Sequence, residues 1–385
     1  MIKEEREKMI KPVLLQKLNI NYTIPETVGL ALNEIVEFKD FIQYYDVGSA
    51  MIKPYFEKVH REEIESLSGY YNHDNLNIEF DFLFSGDKEP ENDAERLTIN
   101  LSAILKSTSG SKEELTLQSL QKIQVDLHQG LEHESSGIGL RMETNSLFAA
   151  TEEVQAQNPI DKDLRVWLDD LMKAASAKQT PALVRCWIFY YYFNILKPYP
   201  AYNELVAYII CKRILASEKL DMLNTLNLDK YVFRDKDFIE ASKKLTDTED
   251  YFQKLSSDLT EYLDICIKGF RNNIIASRNG ATDCVRGQLD FASLTPRQKN
   301  SLNFWLEKAF YIHKDKLDQL SPRQHEMMLL IAKYGSLSNK DLVPVFQVER
   351  KTIQRDFNTL LELKLLDQRG GGRGLRYYIN MRVVI

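Results

Sequence analysis

The sequence lacks the features that mark secreted, metal-binding or membrane-spanning proteins. Its cysteines are far apart without metal-ligand spacing, which favours a reduced cytoplasm; they are Cys186, Cys211, Cys266 and Cys284. The charged start MIKEEREKMIKPVLLQ has no apolar core of signal-peptide length. The apolar run LVAYIICKRIL is too short to span a bilayer and contains Lys212 and Arg213. We therefore expect a soluble, cytoplasmic protein without a membrane partner.

Histidine is also scarce, with six residues in the chain. His128 and His133 are five positions apart, which differs from the i, i+4 spacing of a helical metal pair. No Ser-His-Asp or Cys-His arrangement can be assembled from spacing alone. We expect surface or packing histidines and no metal site.

The length of the chain indicates several domains, and its charge is distributed unevenly between them. Its 385 residues suffice for two or three domains, and 44% hydrophobic residues are ordinary for a globular protein. Residues 321–385 carry eleven Lys/Arg and six Asp/Glu, a net charge of +5. Because the whole chain carries −6, the remainder carries −11. A basic module on an acidic body indicates a nucleic-acid contact, since phosphates are neutralised locally.

Apolar periodicity predicts a mainly α fold. Residues 1–90 form a helical or mixed region, with a β-like alternation in LNIEFDFLF. Residues 91–290 are helical, and the aromatic run WIFYYYFN is expected in the core. Residues 291–320 are a connecting helix before the terminal module at 321–385. The segments LTPRQ and LSPRQ each fit a helix N-cap and first turn.

The sequence pattern of residues 321–385 predicts a winged helix-turn-helix. Its helices are expected in SPRQHEMMLLIAKYG, LSNKDLVPVF and ERKTIQRDFNTLLELKLL, and LLDQRGGGRGLRYYI predicts a hairpin. One stripe of the third helix should be buried: Ile353, Phe357, Leu360 and Leu361. Side chains suited to bases and phosphates are Arg350, Lys351, Gln354 and Arg355 on that helix and Arg369, Arg373 and Arg376 on the hairpin. Duplex DNA is the expected partner, and a packing or dimerisation domain is the alternative.

Four stretches in the body resemble the Fic (Fido-fold) family in order and spacing: LHQGL, SSGIGLR, TPALVRCWIFYYYFNI and KPYPAYNELVAY. The resemblance covers about residues 20–290. It implies a helical domain with a small β-hairpin flap, within SSGIGLRMETNSLFAA, and commonly a C-terminal winged helix. Arg141 would lie at the flap.

The family's catalytic loop, His-Pro-Phe-x-Asp/Glu-Gly-Asn-Gly-Arg with a second Arg three residues later, is altered here. Lys197 replaces the catalytic His, Ala201 the acidic metal ligand, and Tyr199 the Phe. Pro198 and Asn203 match the family. The two glycines are replaced by Tyr202 and Glu204, and the two arginines by Leu205 and Tyr208.

These substitutions remove the base, the Mg²⁺ ligand, the phosphate cradle and the charges that hold a nucleotide. The family's inhibitory motif, whose Glu pairs with the second Arg, has a weak counterpart in REEIES, with Glu65 at the Glu position and Tyr208 as its partner. The resemblance therefore implies a catalytically inactive body without a cofactor.

We expect a DNA-binding transcriptional regulator whose Fic-like body is a sensor, a dimerisation domain or a scaffold for a protein partner. One alternative is an atypical Fic enzyme with Lys197 as its base, because a desolvated lysine can titrate near neutral pH. Another is an interaction module that contacts neither nucleotide nor DNA.

Overall fold

The computed structural model of the chain describes residues 20–44, 52–72, 76–86, 88–108, 115–132, 139–140, 161–221, 226–248, 251–288, 294–304, 316–317 and 319–381. These residues are mostly helical, which confirms the predicted mainly α class. Within them, every helix is too short or too polar to span a bilayer.

The helices of the body and the connecting region are α1 Thr27–Tyr44, α2 Lys53–Leu67, α3 Phe80–Ser85, α4 Asp93–Thr108, α5 Leu117–His128, α6 Asp161–Ser176, α7 Ala182–Leu196, α8 Asn203–Ser217, α9 Lys236–Thr246, α10 Tyr251–Leu255, α11 Thr260–Gln288 and α12 Pro296–Asn303. The terminal elements are α13 Pro322–Tyr334, α14 Asn339–Phe346, α15 Arg350–Glu362, β1 Leu366–Arg369 and β2 Arg376–Ile379.

The chain divides into two compact units. The first comprises Met1–Ile35 and Lys58–Ile274, and the second comprises Val36–Glu57 and Ile275–Ile385, as far as these ranges are described. The four segments drawn from the sequence remain predictions.

The core of the first unit is built around α7, which is apolar on all sides and buried almost throughout. Trp187 of α7 is fully buried, and its ring lies edge-on to Phe233 at 5.8 Å and to Phe270 at 6.5 Å. Edge-to-face packing at these distances is favourable for aromatic rings. The aromatic run therefore belongs to the core, as predicted.

The β-like stretch LNIEFDFLF does not form a strand, and this prediction is wrong. Residues 80–85 form α3, which ends at Gly86 in the left-handed conformation with a φ of 77°. Phe80 and Phe84 are four residues apart, and their rings stack at 6.1 Å. Apolar residues at every second position also supply i, i+4 pairs, so the pattern suits a helix as well.

In the second unit, α13 begins with the cap predicted from LSPRQ. The Ser321 N–H donates to the Gln324 side chain at 2.9 Å, and the Gln324 N–H lies 3.4 Å from the Ser321 hydroxyl. Thr295 and Gln298 make the corresponding pair of hydrogen bonds at α12, at 3.0 and 3.4 Å. Reciprocal caps of this kind satisfy N–H groups that a helix leaves unpaired.

Candidate functional site

A short turn joins the second and third helices of the terminal module. The N–H of Ser338 donates to Asp341 at 2.8 Å and caps the start of α14. Gln347 ends α14 in the left-handed conformation, with its N–H bonded to the Val343 carbonyl at 3.0 Å. Because α15 begins at Arg350, two residues separate the end of this cap from the next helix. Two helices joined so closely have the form of a helix-turn-helix.

One face of α15 packs against the rest of the module. Ile353, Phe357 and Leu360 are fully buried, as predicted. Leu361, also predicted in this stripe, is only half-buried, and Asp356 takes its place among the buried residues. The buried positions therefore follow i, i+3, i+4 and i+7, a stripe as wide as the predicted one but rotated about the helix toward Asp356.

Asp356 is tolerated in this buried face because its carboxylate is fully paired. Arg323 donates from Nε to Oδ2 at 2.7 Å and from Nη2 to Oδ1 at 3.3 Å, and Gln324 donates to Oδ1 at 3.1 Å. The carboxylate hydrogen bonds raise the pKa of Arg323. These contacts tie the start of α13 to the middle of α15.

The opposite face of α15 is cationic. Arg350, Lys351 and Arg355 are exposed, and within the described residues their side chains make no hydrogen bond or ion pair. Asn358 is exposed on the same side. The structure thus leaves the donors of three basic side chains available to an external anion.

Gln354 differs from its basic neighbours, because it is half-buried and its amide is engaged within the module. Its Oε1 accepts a hydrogen bond from Asn339 at 2.5 Å. Its Nε2 donates to Asn358 at 3.0 Å and to the Tyr377 hydroxyl at 3.1 Å. Asn339 and Tyr377 were not predicted as site residues. No spacing pattern points to them, because the contact joins three separate elements.

β1 and β2 form an antiparallel hairpin, as predicted. Leu337 pairs with Tyr377 on the other side of β2, through N–H···O bonds of 3.1 and 2.8 Å. Gly370 has a φ of 86°, and an added Cβ would lie 2.4 Å from the Gly374 carbonyl oxygen. A glycine is therefore required where the hairpin turns. Arg373 lies in this turn, within the helical segment Gly372–Gly374.

Two arginines face each other across the hairpin, since Arg369 and Arg376 are register partners. The Arg369 guanidinium lies over the Tyr378 ring, 5.2 Å from its centroid. Arg376 donates to the Ser336 hydroxyl at 3.0 Å and to its carbonyl at 3.2 Å, and lies 3.6 Å from Asp341. Both arginines belong to the predicted site; Arg376 is held by hydrogen bonds and an ion pair, whereas Arg369 rests on an aromatic ring.

The altered loop of the body begins and ends with a non-glycine residue whose backbone is in the left-handed conformation. Lys197 follows α7 with a φ of 40°, and its N–H donates to the Phe193 carbonyl at 2.9 Å. Tyr202 precedes α8 with a φ of 58°. Such values are uncommon for residues with a Cβ, so the surrounding contacts must hold both in place. Lys197 itself is exposed.

Hydrogen bonds close this loop on itself. Asn203 accepts from the Tyr199 N–H at 2.9 Å and donates to the Tyr199 carbonyl at 2.8 Å. Gln124 of α5 donates to the Ala201 carbonyl at 3.2 Å. The Asn203 amide, which matches the Fic pattern, is therefore engaged with the loop's own backbone.

The positions of the two missing glycines are occupied differently. The Tyr202 ring packs on the buried ring of His128, with centroids 5.0 Å apart. Glu204 lies exposed in the first turn of α8, and Pro198 is buried at the loop's start. A tyrosine packed into the loop and a carboxylate at the helix N-terminus both disfavour a bound phosphate there.

The two positions of the missing arginines are buried. Leu205 is apolar core, and the Tyr208 hydroxyl donates a hydrogen bond to Glu63. Glu65, which the sequence placed at the inhibitory-motif position facing Tyr208, instead accepts a hydrogen bond from Arg61 at 2.6 Å. The difference arises because Glu63, two residues earlier, lies on the buried side of α2, whereas Glu65 is half-exposed.

Glu63 and Tyr208 belong to a buried ionic cluster. The Lys212 Nζ lies 3.0 Å from Glu63 and 2.6 Å from Asp221, and donates to the Leu226 carbonyl at 2.6 Å. Burial raises the pKa of Glu63 to about 7, against the opposing effects of Lys212 and Tyr208. For Lys212, burial lowers the pKa, but Asp221 and Glu63 outweigh it and the net change is upward.

The sequence prediction missed Glu63, Lys212 and Asp221. The one signal available was the pair of cations, Lys212 and Arg213, inside an otherwise apolar helical run. Such a residue must be paired if the helix is buried on all sides.

The predicted flap is mostly outside the part of the chain that the structure describes. Of the predicted flap, residues 135–150, all but residues 139–140 lie outside the described residues, and Arg141 is among those outside. Among the residues that are described, no group of three or more His, Cys, Asp or Glu side chains could hold a metal ion.

Comparisons with known proteins identify the terminal module. A family model for the DeoR-like helix-turn-helix domain matches residues 323–375, which extend from the first turn of α13 to the end of the hairpin turn. The predicted helix-turn-helix domain is therefore confirmed. No curated protein matches the chain.

Among solved structures, the chain is similar to a Fic family protein from Desulfovibrio desulfuricans G20. The two share 16% sequence identity with a TM-score of 0.48, over 94% of this chain and 98% of that chain.

Proposed function

We propose that the chain is a DNA-binding transcriptional regulator in which α15 enters a groove of duplex DNA and the hairpin acts as a wing. The observation that carries this proposal is the joint exposure of three basic side chains on the second helix of a helix-turn-helix: Arg350, Lys351 and Arg355. In helix-turn-helix proteins this helix lies in the major groove, and its N-terminal residues contact base edges. Guanidinium groups also bind phosphates through charge-assisted hydrogen bonds.

The hairpin supports the same function. Arg369 and Arg376 are directly opposite in the register, and like charges in this position destabilise a hairpin. A phosphate bound beside the two arginine side chains would offset this repulsion. The hairpin thus has an electrostatic reason to bind an anion.

The proposal assigns no nucleotidyl-transfer activity to the Fic-like body. A lysine acts as a base when it is desolvated, whereas Lys197 is exposed. Tyr202 packs on His128, and Asn203 is bonded to the loop backbone, so the groups that would surround a phosphate are committed to other contacts. Tyr208 is bonded to Glu63 rather than available to a nucleotide.

The body would then serve as a sensor or as a partner-binding or dimerisation domain. Its net charge of −11 opposes non-specific attraction to DNA, while the terminal residues 321–385 carry +5. Such a distribution would favour sites that form specific contacts over random sequence.

Fluorescence anisotropy of the full chain with labelled duplexes tests the proposal. Random and genome-derived duplexes would be titrated at a series of salt concentrations. We expect Lys351→Ala and Arg355→Ala each to weaken binding and to lower the salt slope by about one. Lys243→Ala, which removes an exposed cation of α9, is the matched control and should leave both unchanged. Absence of binding by the folded wild-type chain at low salt would contradict the proposal and favour the protein-interaction module.

A further inference from the structure

The amide of Gln354 lies where α14, α15 and β2 meet. We propose that Gln354 is a positioning residue, which fixes the recognition helix and the hairpin as one rigid surface, and that it does not itself contact bases. This inference rests on the proposed DNA-binding function. It assigns a different role to Gln354 than to Arg350, Lys351 and Arg355.

The first argument is the number of hydrogen bonds that the amide already makes. Both Nε2 hydrogens are used, toward Asn358 at 3.0 Å and Tyr377 at 3.1 Å. Oε1 accepts from Asn339 at 2.5 Å. A glutamine that recognises adenine must offer one donor and one acceptor together. Gln354 can do so only by giving up bonds that hold the module together.

The second argument is that the partners of Gln354 are themselves fixed. The Tyr377 ring is fully buried and stacks on Phe357, with centroids 3.6 Å apart and an angle of 11° between the planes. The Tyr377 backbone is bonded in both directions to Leu337. Asn339 is buried in the first turn of α14. The amide is therefore bonded to two immobile groups on two other elements.

The third argument is the contrast with the neighbouring cations. Lys351 and Arg355 are exposed and make no side-chain hydrogen bond or ion pair within the described residues, so binding DNA costs them no internal contact. Precise recognition requires that the helix and the hairpin keep their positions while DNA is bound. The bonds of Gln354 hold the two elements, and Lys351 and Arg355 remain free to bind DNA.

Two variants separate positioning from base recognition. Tyr377→Phe removes only the hydroxyl that Gln354 bonds, and Gln354→Ala removes the amide. Tyr377→Phe removes one of the three hydrogen bonds of the amide, and Gln354→Ala removes all three. We expect Tyr377→Phe to weaken binding of the full chain to specific and random duplexes by a factor of about ten, and Gln354→Ala to weaken it at least as much. The order of preference among sequences and the salt slope should remain those of the wild type. Arg355→Ala is the comparison variant, with a salt slope lower by about one.

A change in sequence preference with Gln354→Ala, without the same change in Tyr377→Phe, would show that Gln354 contacts bases and would overturn the proposal. If the wild-type chain binds no DNA, the proposed function fails, and the positioning role is tested by hydrogen exchange of the β1 and β2 amides. Loss of protection in both single variants, with no further loss in the double variant beyond that of Gln354→Ala, supports the shared Gln354–Tyr377 bond as the contact that holds the hairpin. Additive losses, or no loss in either single variant, would refute it.

Discussion

The hydroxyl of Tyr208 donates a hydrogen bond to Glu63, and both side chains are buried in the first unit. Lys212, one turn after Tyr208 on α8, lies 3.0 Å from the same carboxylate and 2.6 Å from Asp221. Two carboxylates and one ammonium are thus held away from water. The cluster carries a net negative charge unless one carboxyl is protonated. Because burial raises the pKa of Glu63 to about 7, Glu63 is protonated below neutral pH and loses its proton above it.

This cluster predicts a pH-dependent stability. The pKa of Glu63 is raised from 4.5 in the unfolded chain to about 7, so the folded state binds the proton more tightly and stability falls as the pH rises between these values. Glu63→Gln mimics the protonated carboxyl. We expect the variant to be more stable than wild type at pH 8, by up to about 3 kcal/mol, and similar to it near pH 5.

Thermal unfolding across pH 5–8 measures this difference. The control is Glu57→Gln, which changes an exposed carboxylate on the same helix and should leave the wild-type pH profile intact. A Glu63→Gln profile parallel to that of wild type would show that Glu63 is not the group that titrates.

The terminal module could be predicted because its signals are local. The Ser-Pro-Arg-Gln start, the helical apolar stripe and the triple glycine each act within a few residues. The ionic cluster could not be predicted in this way, because Glu63 and Tyr208 are 145 positions apart. The bonds of Gln354 escaped prediction for the same reason. Helical spacing shows on which side of a helix a residue lies, but not which polar group it meets there.

The closed loop after Lys197 predicts that nucleotides do not bind to the body. Asn203 is bonded to Tyr199, and Tyr202 packs on His128, so no open phosphate cradle remains in this loop. ATP or GTP with Mg²⁺ should not raise the unfolding temperature of the chain. A rise that increases with nucleotide concentration would contradict this, because any ligand that binds only the folded state stabilises it.

Restoring the family's base alone should not restore chemistry. We expect no adenylyl transfer from Lys197→His, because a base without a metal ligand or phosphate contacts has no positioned substrate. Transfer of label from α-labelled ATP to any protein is the measurement. A variant that also carries Ala201→Asp, Tyr202→Gly and Glu204→Gly tests whether the missing groups are sufficient together. Label transfer by Lys197→His on its own would contradict the prediction.

The paired carboxylate of Asp356 predicts a strong local effect of its removal. Asp356→Ala leaves Arg323 and Gln324 without their acceptor. Because Arg323 is about one third exposed, we expect a loss of about 2 kcal/mol, less than for a fully buried ion pair. Faster hydrogen exchange in residues 353–360 would measure it. Arg355→Ala on the same helix is the control, and equal effects of the two variants would contradict the prediction.

The two arginines that face each other on the hairpin should contribute differently to DNA binding. Arg369 is exposed and lies over the Tyr378 ring, so its donors remain available to a phosphate. Arg376 already donates to Ser336 and lies 3.6 Å from Asp341, so contact with a phosphate would compete with these partners. We expect Arg369→Ala to lower the salt slope by about one and to weaken binding evenly across sequences.

Arg376→Ala should change the salt slope less, because part of its charge is already neutralised by Asp341. Its main effect should be on the stability of the hairpin, because the bonds from Arg376 to Ser336 reinforce the neighbouring pairing of Leu337 with Tyr377 of β2. Hydrogen exchange of the hairpin amides, measured alongside the salt titrations, separates the two effects. If Arg376→Ala lowers the slope as much as Arg369→Ala and leaves the hairpin amides protected, then both arginines bind phosphate, and the contacts of Arg376 are exchanged for DNA on binding.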